Sequence, residues 1–173
     1  MKNIIITSKK IDSYHELIED LKKGENILIG NDIEQKKDFL LITVTNIISN
    51  EIILLIGVVC EGHGVNPQYA FNEDENEIIV GFNHEVCIIS VDTKRIRQQK
   101  MNSIFYEFRE RRDLGLIIIV CEADMYGVNY GLESVWEICC DLIINYEFLN
   151  NCIQIETDSG NYSYSMLNGC KVR

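Results

Sequence analysis

The stretch LGLIIIVCEADMYGVNYGLESVWEICCDLIINYEFLNNCIQIETDSGNYSYSMLNGCKVR, Leu114 to Arg173, decides the fold, because it divides into short apolar runs separated by turn formers. The runs are Gly115–Val120, Asp124–Asn129, Ser134–Ile138 with the single Trp136, Leu142–Phe148, Cys152–Thr157 and Tyr162–Leu167. Between them stand Asn129-Tyr130-Gly131, Asn150-Asn151, Asp158-Ser159-Gly160-Asn161 and Asn168-Gly169. Asn, Asp and Gly accept the positive φ of short hairpin loops, while the runs are rich in the Ile, Val, Tyr and Phe that suit a pleated, half-buried surface. The stretch predicts an antiparallel β-meander.

Further upstream the pattern continues. Ile78–Phe82 and Glu85–Thr93 read as strands; in the second, Val86, Ile88 and Ser90 face one way and Cys87, Ile89 and Val91 the other. Ile104, Tyr106 and Phe108 alternate in the same manner. The block Ile52–Cys60 is apolar throughout, rich in β-branched residues and interrupted by Gly57, which predicts a central strand buried on both faces. Nearer the N-terminus, Lys2–Thr7, Asn26–Ile29 and Phe39–Thr45 are candidate strands, with Asn31–Asp38 a polar connection. One helix is expected, Tyr14–Lys23. Ser13 and Glu16 form a capping box, Tyr14, Leu17, Ile18 and Leu21 make one apolar stripe, and Lys22-Lys23-Gly24 supplies the stop. His15 lies off that stripe, on the solvated side. The expected class is mainly β (α+β): an antiparallel β-meander or sandwich-like sheets with one N-terminal helix. A single domain should span 1–173, with a strand–helix part at 1–60 and the meander at 77–173.

Chain length and chemistry set the function classes. A chain of 173 residues buries a real core as one domain. The Ile52–Cys60 run is far shorter than the roughly 20 apolar residues of a membrane helix. The opening MKNIIITSKK reaches Lys9 and Lys10 before any signal-peptide core, so no membrane association and a cytoplasmic address are expected. Seven cysteines are an odd number, no C-x-x-C pair occurs, and adjacent Cys139 and Cys140 would point to opposite faces of a regular strand. They read as buried free thiols of a reducing compartment, with no metal and no cofactor. A formal net charge of −11 and a pI near 4.7 argue against nucleic-acid binding, which needs a basic surface, and favour a basic partner.

Charge is unevenly placed. Lys94 to Arg112 holds seven of the sixteen basic residues, leaving nine basic and twenty-five acidic residues elsewhere. That segment suits a patch for pairing with an acidic surface, in the same chain or in a homodimer. The opposite extreme is Asn72–Glu77, NEDENE, where Glu73, Asp74, Glu75 and Glu77 crowd four carboxylates into a solvated hairpin tip, a negative finger for a partner. Asp158, in a turn, and His63, in the irregular loop Glu61–Phe71 with the only proline, are secondary partner-binding candidates. Cys60, Glu61 and His63 lie close in sequence but lack any recognised ligand spacing. Catalytic signatures are missing: no G-x-S-x-G, no P-loop, no G-x-G-x-x-G, no H-E-x-x-H. A Cys nucleophile paired with His63 or His84, as in a Cys/His-dependent hydrolase, and the carboxylate pair Glu122 and Asp124 are the remaining enzymatic options.

From Glu77 onward the order of features resembles the blade repeat of quinoprotein-type β-propellers. EIIVGFNHEVCIISVDTKR is a strand pair ending in Asp92-Thr93-Lys94, like the D-x-x-T-G-K turn of such blades but without its Gly. LIIIVCEADMYGVNYGLESVWEI resembles the next pair, its Trp136 following a Gly-containing turn, and NNCIQIETDSGNYSYSMLNGCKV one more, with NGCK in place of T-G-K. The resemblance implies antiparallel β structure and no quinone chemistry. At the level of class alone, a small, acidic, mainly β chain without catalytic signatures is similar to the bacterial immunity proteins of contact-dependent inhibition and polymorphic toxin systems. That likeness implies a non-enzymatic binder that neutralises a toxin domain, nuclease by type, through acidic-surface blockade. The other reading from the residues is a β-rich structural module that self-associates.

Overall fold

In the computed structural model, described over residues 3–32 and 36–172, the chain forms fifteen strands and one α-helix. They run β1 (Ile4–Ile11), α1 (Tyr14–Leu21), β2 (Asn26–Ile29), β3 (Asp38–Asn46), β4 (Ile52–Cys60), β5 (Gln68–Asn72), β6 (Glu77–Phe82), β7 (Glu85–Ser90) and β8 (Ile96–Lys100). The series continues with β9 (Phe105–Arg111), β10 (Leu116–Cys121), β11 (Asp124–Val128), β12 (Ser134–Cys139), β13 (Ile143–Phe148), β14 (Cys152–Thr157) and β15 (Gly160–Ser165). They make four sheets, ordered β1-β3-β4-β2, β5-β6-β7-β8, β12-β11-β10-β9 and β13-β14-β15. The last three are meanders, as the turn pattern predicts, so the fold is mainly β with one N-terminal helix. The exception is the first sheet, where β2 runs parallel to β4.

Two compact units divide the chain: one holds residues up to Asn83 with Cys87–Ile96, the other His84–Val86 with residues from Arg97 onward. In the first unit β4 is buried between β3 and β2, and its two faces serve two cores. Leu55 and Val59 join Phe39, Leu41 and Ile11 beneath Leu17 and Leu21 of α1. Leu54, Ile56 and Val58 face Ile78, Val80 and Phe82 of β6 and Cys87 and Ile89 of β7. Gly57 has a packing reason: a Cβ there would lie 2.9 Å from Cδ1 of both Leu21 and Leu28, so the helix seats on the strand only because that atom is absent. Ser13 caps α1 as its hydroxyl accepts from the Glu16 amide at 3.2 Å, and Asp20 takes ion pairs from Lys23 and from Lys9 of β1.

In the second unit Ile118 and Val120 of β10, Met125 of β11 and Trp136 and Ile138 of β12 pack with Ile153 and Ile155 of β14 and Met166. Trp136 lies directly opposite Gly127 in the β11–β12 register and donates from Nε1 to the Met166 carbonyl at 2.9 Å.

Several boundaries differ from the sequence reading. The loop expected over Glu61–Phe71 ends at Pro67, because Tyr69 and Phe71 pair with Val80 and Ile78 as β5. The first strand extends to Ile11, although its expected start at Lys2 lies outside the described residues; residues 33–35 of the expected polar connection do too. Strand β8 carries too little apolar patterning, IRQQK, to be read without its sheet neighbour.

Candidate functional site

The acidic segment is a hairpin tip. Asn72 and Glu77 form the last pair between β5 and β6, and Glu73–Asn76 closes the turn with Asn76 at φ 56°. Asn is one of the few residues that accepts this left-handed backbone. Asn76 also anchors the tip: its side-chain Nδ2 donates to Asp92 Oδ1 at 2.8 Å, and its backbone carbonyl accepts from the Val91 amide at 3.0 Å. Glu73, Asp74 and Glu75 are exposed, and none of the three has an ion-pair partner among the described residues. Glu77 is only 8% exposed, since it begins β6 and turns inward. The finger therefore presents three carboxylates, not four. Asn76, the residue that fixes its shape, was legible only as one polar residue in an acidic run.

The secondary candidates stand apart. Asp158 is exposed in the two-residue turn between β14 and β15, beside Thr157, whose Oγ1 accepts from the Ser159 amide and donates to the Gly160 carbonyl. It belongs to the second unit, whereas the finger belongs to the first. His63 is exposed and its Nε2 contacts Glu61 Oε2 within their own loop. Cys60 does not join them: it points into the core shared by β4, β6 and β7, and burial pushes its thiol up to about 12.

Other thiols share that direction. Burial raises Cys121 to about 12 and Cys140 to about 11, and desolvation together with the Glu137 carboxylate raises Cys139. A nucleophilic thiolate needs the opposite shift. Cys140 lies just past the end of β12 and donates to the Ala123 carbonyl at 3.5 Å. Glu122 and Asp124 do not pair as a carboxylate couple. Glu122 sits in the bend between β10 and β11, while Asp124 is buried and accepts from Ser103 Oγ at 2.7 Å.

The basic segment disperses on folding. Lys94 sits at φ 59°, and its ammonium donates to the Val91 and Ile53 carbonyls at 2.6 and 3.2 Å and pairs with Glu25. Arg97 donates to the Tyr130 carbonyl, Arg109 lies over the Phe148 ring at 4.1 Å, Arg111 pairs with Asp113, and Arg112 pairs with Glu110. Much of this positive charge is spent on local structure.

No protein-family model matches the chain, and no curated protein matches it in sequence. Among solved structures it is similar to dihydro-heme d1 dehydrogenase NirN in complex with DHE, at 11% identity and a TM-score of 0.55 over 79% of this chain and 33% of that one. BamB from Moraxella catarrhalis matches at 10% identity and a TM-score of 0.48, over 98% of this chain and 51% of that one. Hsv2 of Kluyveromyces lactis matches at 15% and 0.38, over 61% and 34%. The chain thus spans about a third of the NirN chain. The NirN likeness shows a shared β-propeller-like fold, in agreement with the blade pattern seen from Glu77 onward, and at that identity it shows the fold alone.

Proposed function

We propose that this chain is a non-enzymatic binding protein that neutralises a basic toxin domain, nuclease by type, by docking its acidic surface over the cationic groups that hold phosphate. The observation that carries this reading is the finger Glu73-Asp74-Glu75: three exposed carboxylates without ion-pair partners among the described residues, on a turn whose shape Asn76 fixes, in a chain of net charge −11. Preorganised like charge of this kind steers a cationic partner and speeds encounter, while the fixed turn limits the ordering entropy lost on docking. Asp158 and His63 are assigned weaker roles at the same partner. A cytoplasmic site of action accords with seven free cysteines. No helix among the described residues is long and apolar enough to cross a membrane.

The test is co-expression with a basic, nuclease-type toxin domain, sought first in the neighbouring reading frame. Cells carrying the chain should survive, and the two proteins should co-purify. The triple variant Glu73→Lys, Asp74→Lys, Glu75→Lys should lose protection at equal expression. Absence of both protection and complex would refute the inhibitor reading; full protection by the triple variant would remove the finger from it.

A second reading is self-association through β8. That strand is the edge of its sheet, and Ile96, Arg97 and Lys100 on it are exposed. An open edge is a template for a second copy. Sedimentation across a salt series separates the two readings, since self-association needs no added partner.

A further inference from the structure

The register between β11 and β12 gathers a different set of groups in the second unit. Asp124 pairs with Cys139 and Tyr126 with Glu137, so strand alternation places all four side chains on one face of the sheet. The ligand atoms of Asp124, Glu137 and Cys139 all lie within 4.8 Å of one another, and Cys139 Sγ is already 3.4 Å from Glu137 Oε1. The link between β8 and β9 holds the carboxylates in place. Ser103 Oγ donates to Asp124 Oδ2 at 2.7 Å and accepts from the Ala123 amide at 3.0 Å; Asn102 Nδ2 donates to Glu137 Oε1 at 3.1 Å.

Charge is what this arrangement lacks. Asp124 is only 6% exposed, yet neither it nor Glu137 has a Lys, Arg or His ion-pair partner among the described residues. Burying a carboxylate beside a second one, with no cation to offset either, is costly unless a positive charge is supplied. From this geometry we propose that Asp124, Glu137 and Cys139 bind one divalent metal ion of the zinc class.

Chemical type narrows the ion. Zinc takes carboxylate oxygen at about 2.0–2.2 Å and thiolate sulfur at about 2.3 Å in a tetrahedron, which puts neighbouring ligand atoms about 3.5 Å apart. The sulfur–oxygen distance here meets that spacing. Glu137 and Cys139 are exposed, while Asp124 is buried and held by Ser103. The sulfur ligand disfavours calcium and magnesium, which take oxygen. Ser103 and Asn102 orient the ligands from behind, and the fourth position is left to water. The site is independent of the toxin-binding reading.

The experiment titrates the metal-free full chain with Zn²⁺ against a chromophoric chelator, and with Co²⁺ by absorption. One ion per chain should bind, and cobalt should show a thiolate-to-metal charge-transfer band. Glu137→Gln and Cys139→Ser, both at exposed positions that the fold tolerates, should each weaken zinc binding by at least about tenfold. Cys139→Ser should also abolish the cobalt band, and Cys170→Ser, exposed and outside the cluster, should change neither. Three results would overturn the proposal: no stoichiometric binding at micromolar zinc, a cobalt band that survives Cys139→Ser, or one that disappears in Cys170→Ser.

Discussion

Trp136 and Gly127 show how single residues set this fold. A Cβ added at Gly127 would overlap the indole ring, and one added at Gly169, at φ 66°, would lie 2.9 Å from the Trp136 Cβ. Gly127→Ala should therefore destabilise the protein by about 3 kcal/mol or more, as overpacking against a rigid ring does, read as a lower midpoint in urea. Asn76 is the corresponding residue of the finger. Asn76→Ala forces a side chain with no local hydrogen bond into the left-handed region and removes the bond to Asp92, so a loss of about 2 kcal/mol is expected in the same assay. Asp20 gives a pH dependence. Hydrogen bonds from Lys23 and then Lys9 hold its carboxyl below its usual value. A lowered folded value means the stabilisation is present above the unfolded value of about 3.9 and is lost as pH falls below it toward the folded one. Wild-type protein should therefore lose more stability than Asp20→Asn between pH 5 and pH 2, in steps of about one pH unit, by thermal melts. Equal slopes would detach Asp20 from the acid response.

At the scale of elements, α1 and the hairpins were the legible parts. The capping box at Ser13 and Glu16 fixed where the helix begins, and Ser13→Ala should cost about 1 kcal/mol by removing the hydroxyl that accepts from the Glu16 amide, measured by denaturant unfolding. Asn-, Asp- and Gly-containing turns marked the meander from Leu116 onward to within about two residues, because those residues are selected by backbone geometry that the chain itself dictates. Strands β5 and β8 were hidden for the opposite reason. QYAFN begins directly after the irregular Pro67 loop, and IRQQK is exposed, so only a neighbouring strand makes either one extended. The finger was legible as charge but not as shape: nothing in NEDENE says that Glu77 turns inward while Glu73, Asp74 and Glu75 stay out. Likewise the grouping of Asp124 with Glu137 and Cys139 depends on the β11–β12 register, which a sequence without its pairing does not reveal.

For the whole molecule, the excess of carboxylates is the dominant physical property, and the dispersal of Lys94, Arg97, Arg109, Arg111 and Arg112 into local contacts leaves it largely uncompensated. A surface of this kind acts mainly on the rate of encounter, and salt screens it over about 8 Å at physiological strength. The most direct measurement is stopped-flow association with the basic toxin domain from low to high salt, comparing wild type with the Glu73→Lys, Asp74→Lys, Glu75→Lys variant. The account predicts fast, steeply salt-dependent association for wild type, and for the variant a rate at least about tenfold lower at low salt with a shallower salt slope. Identical rates and slopes for the two proteins would contradict it.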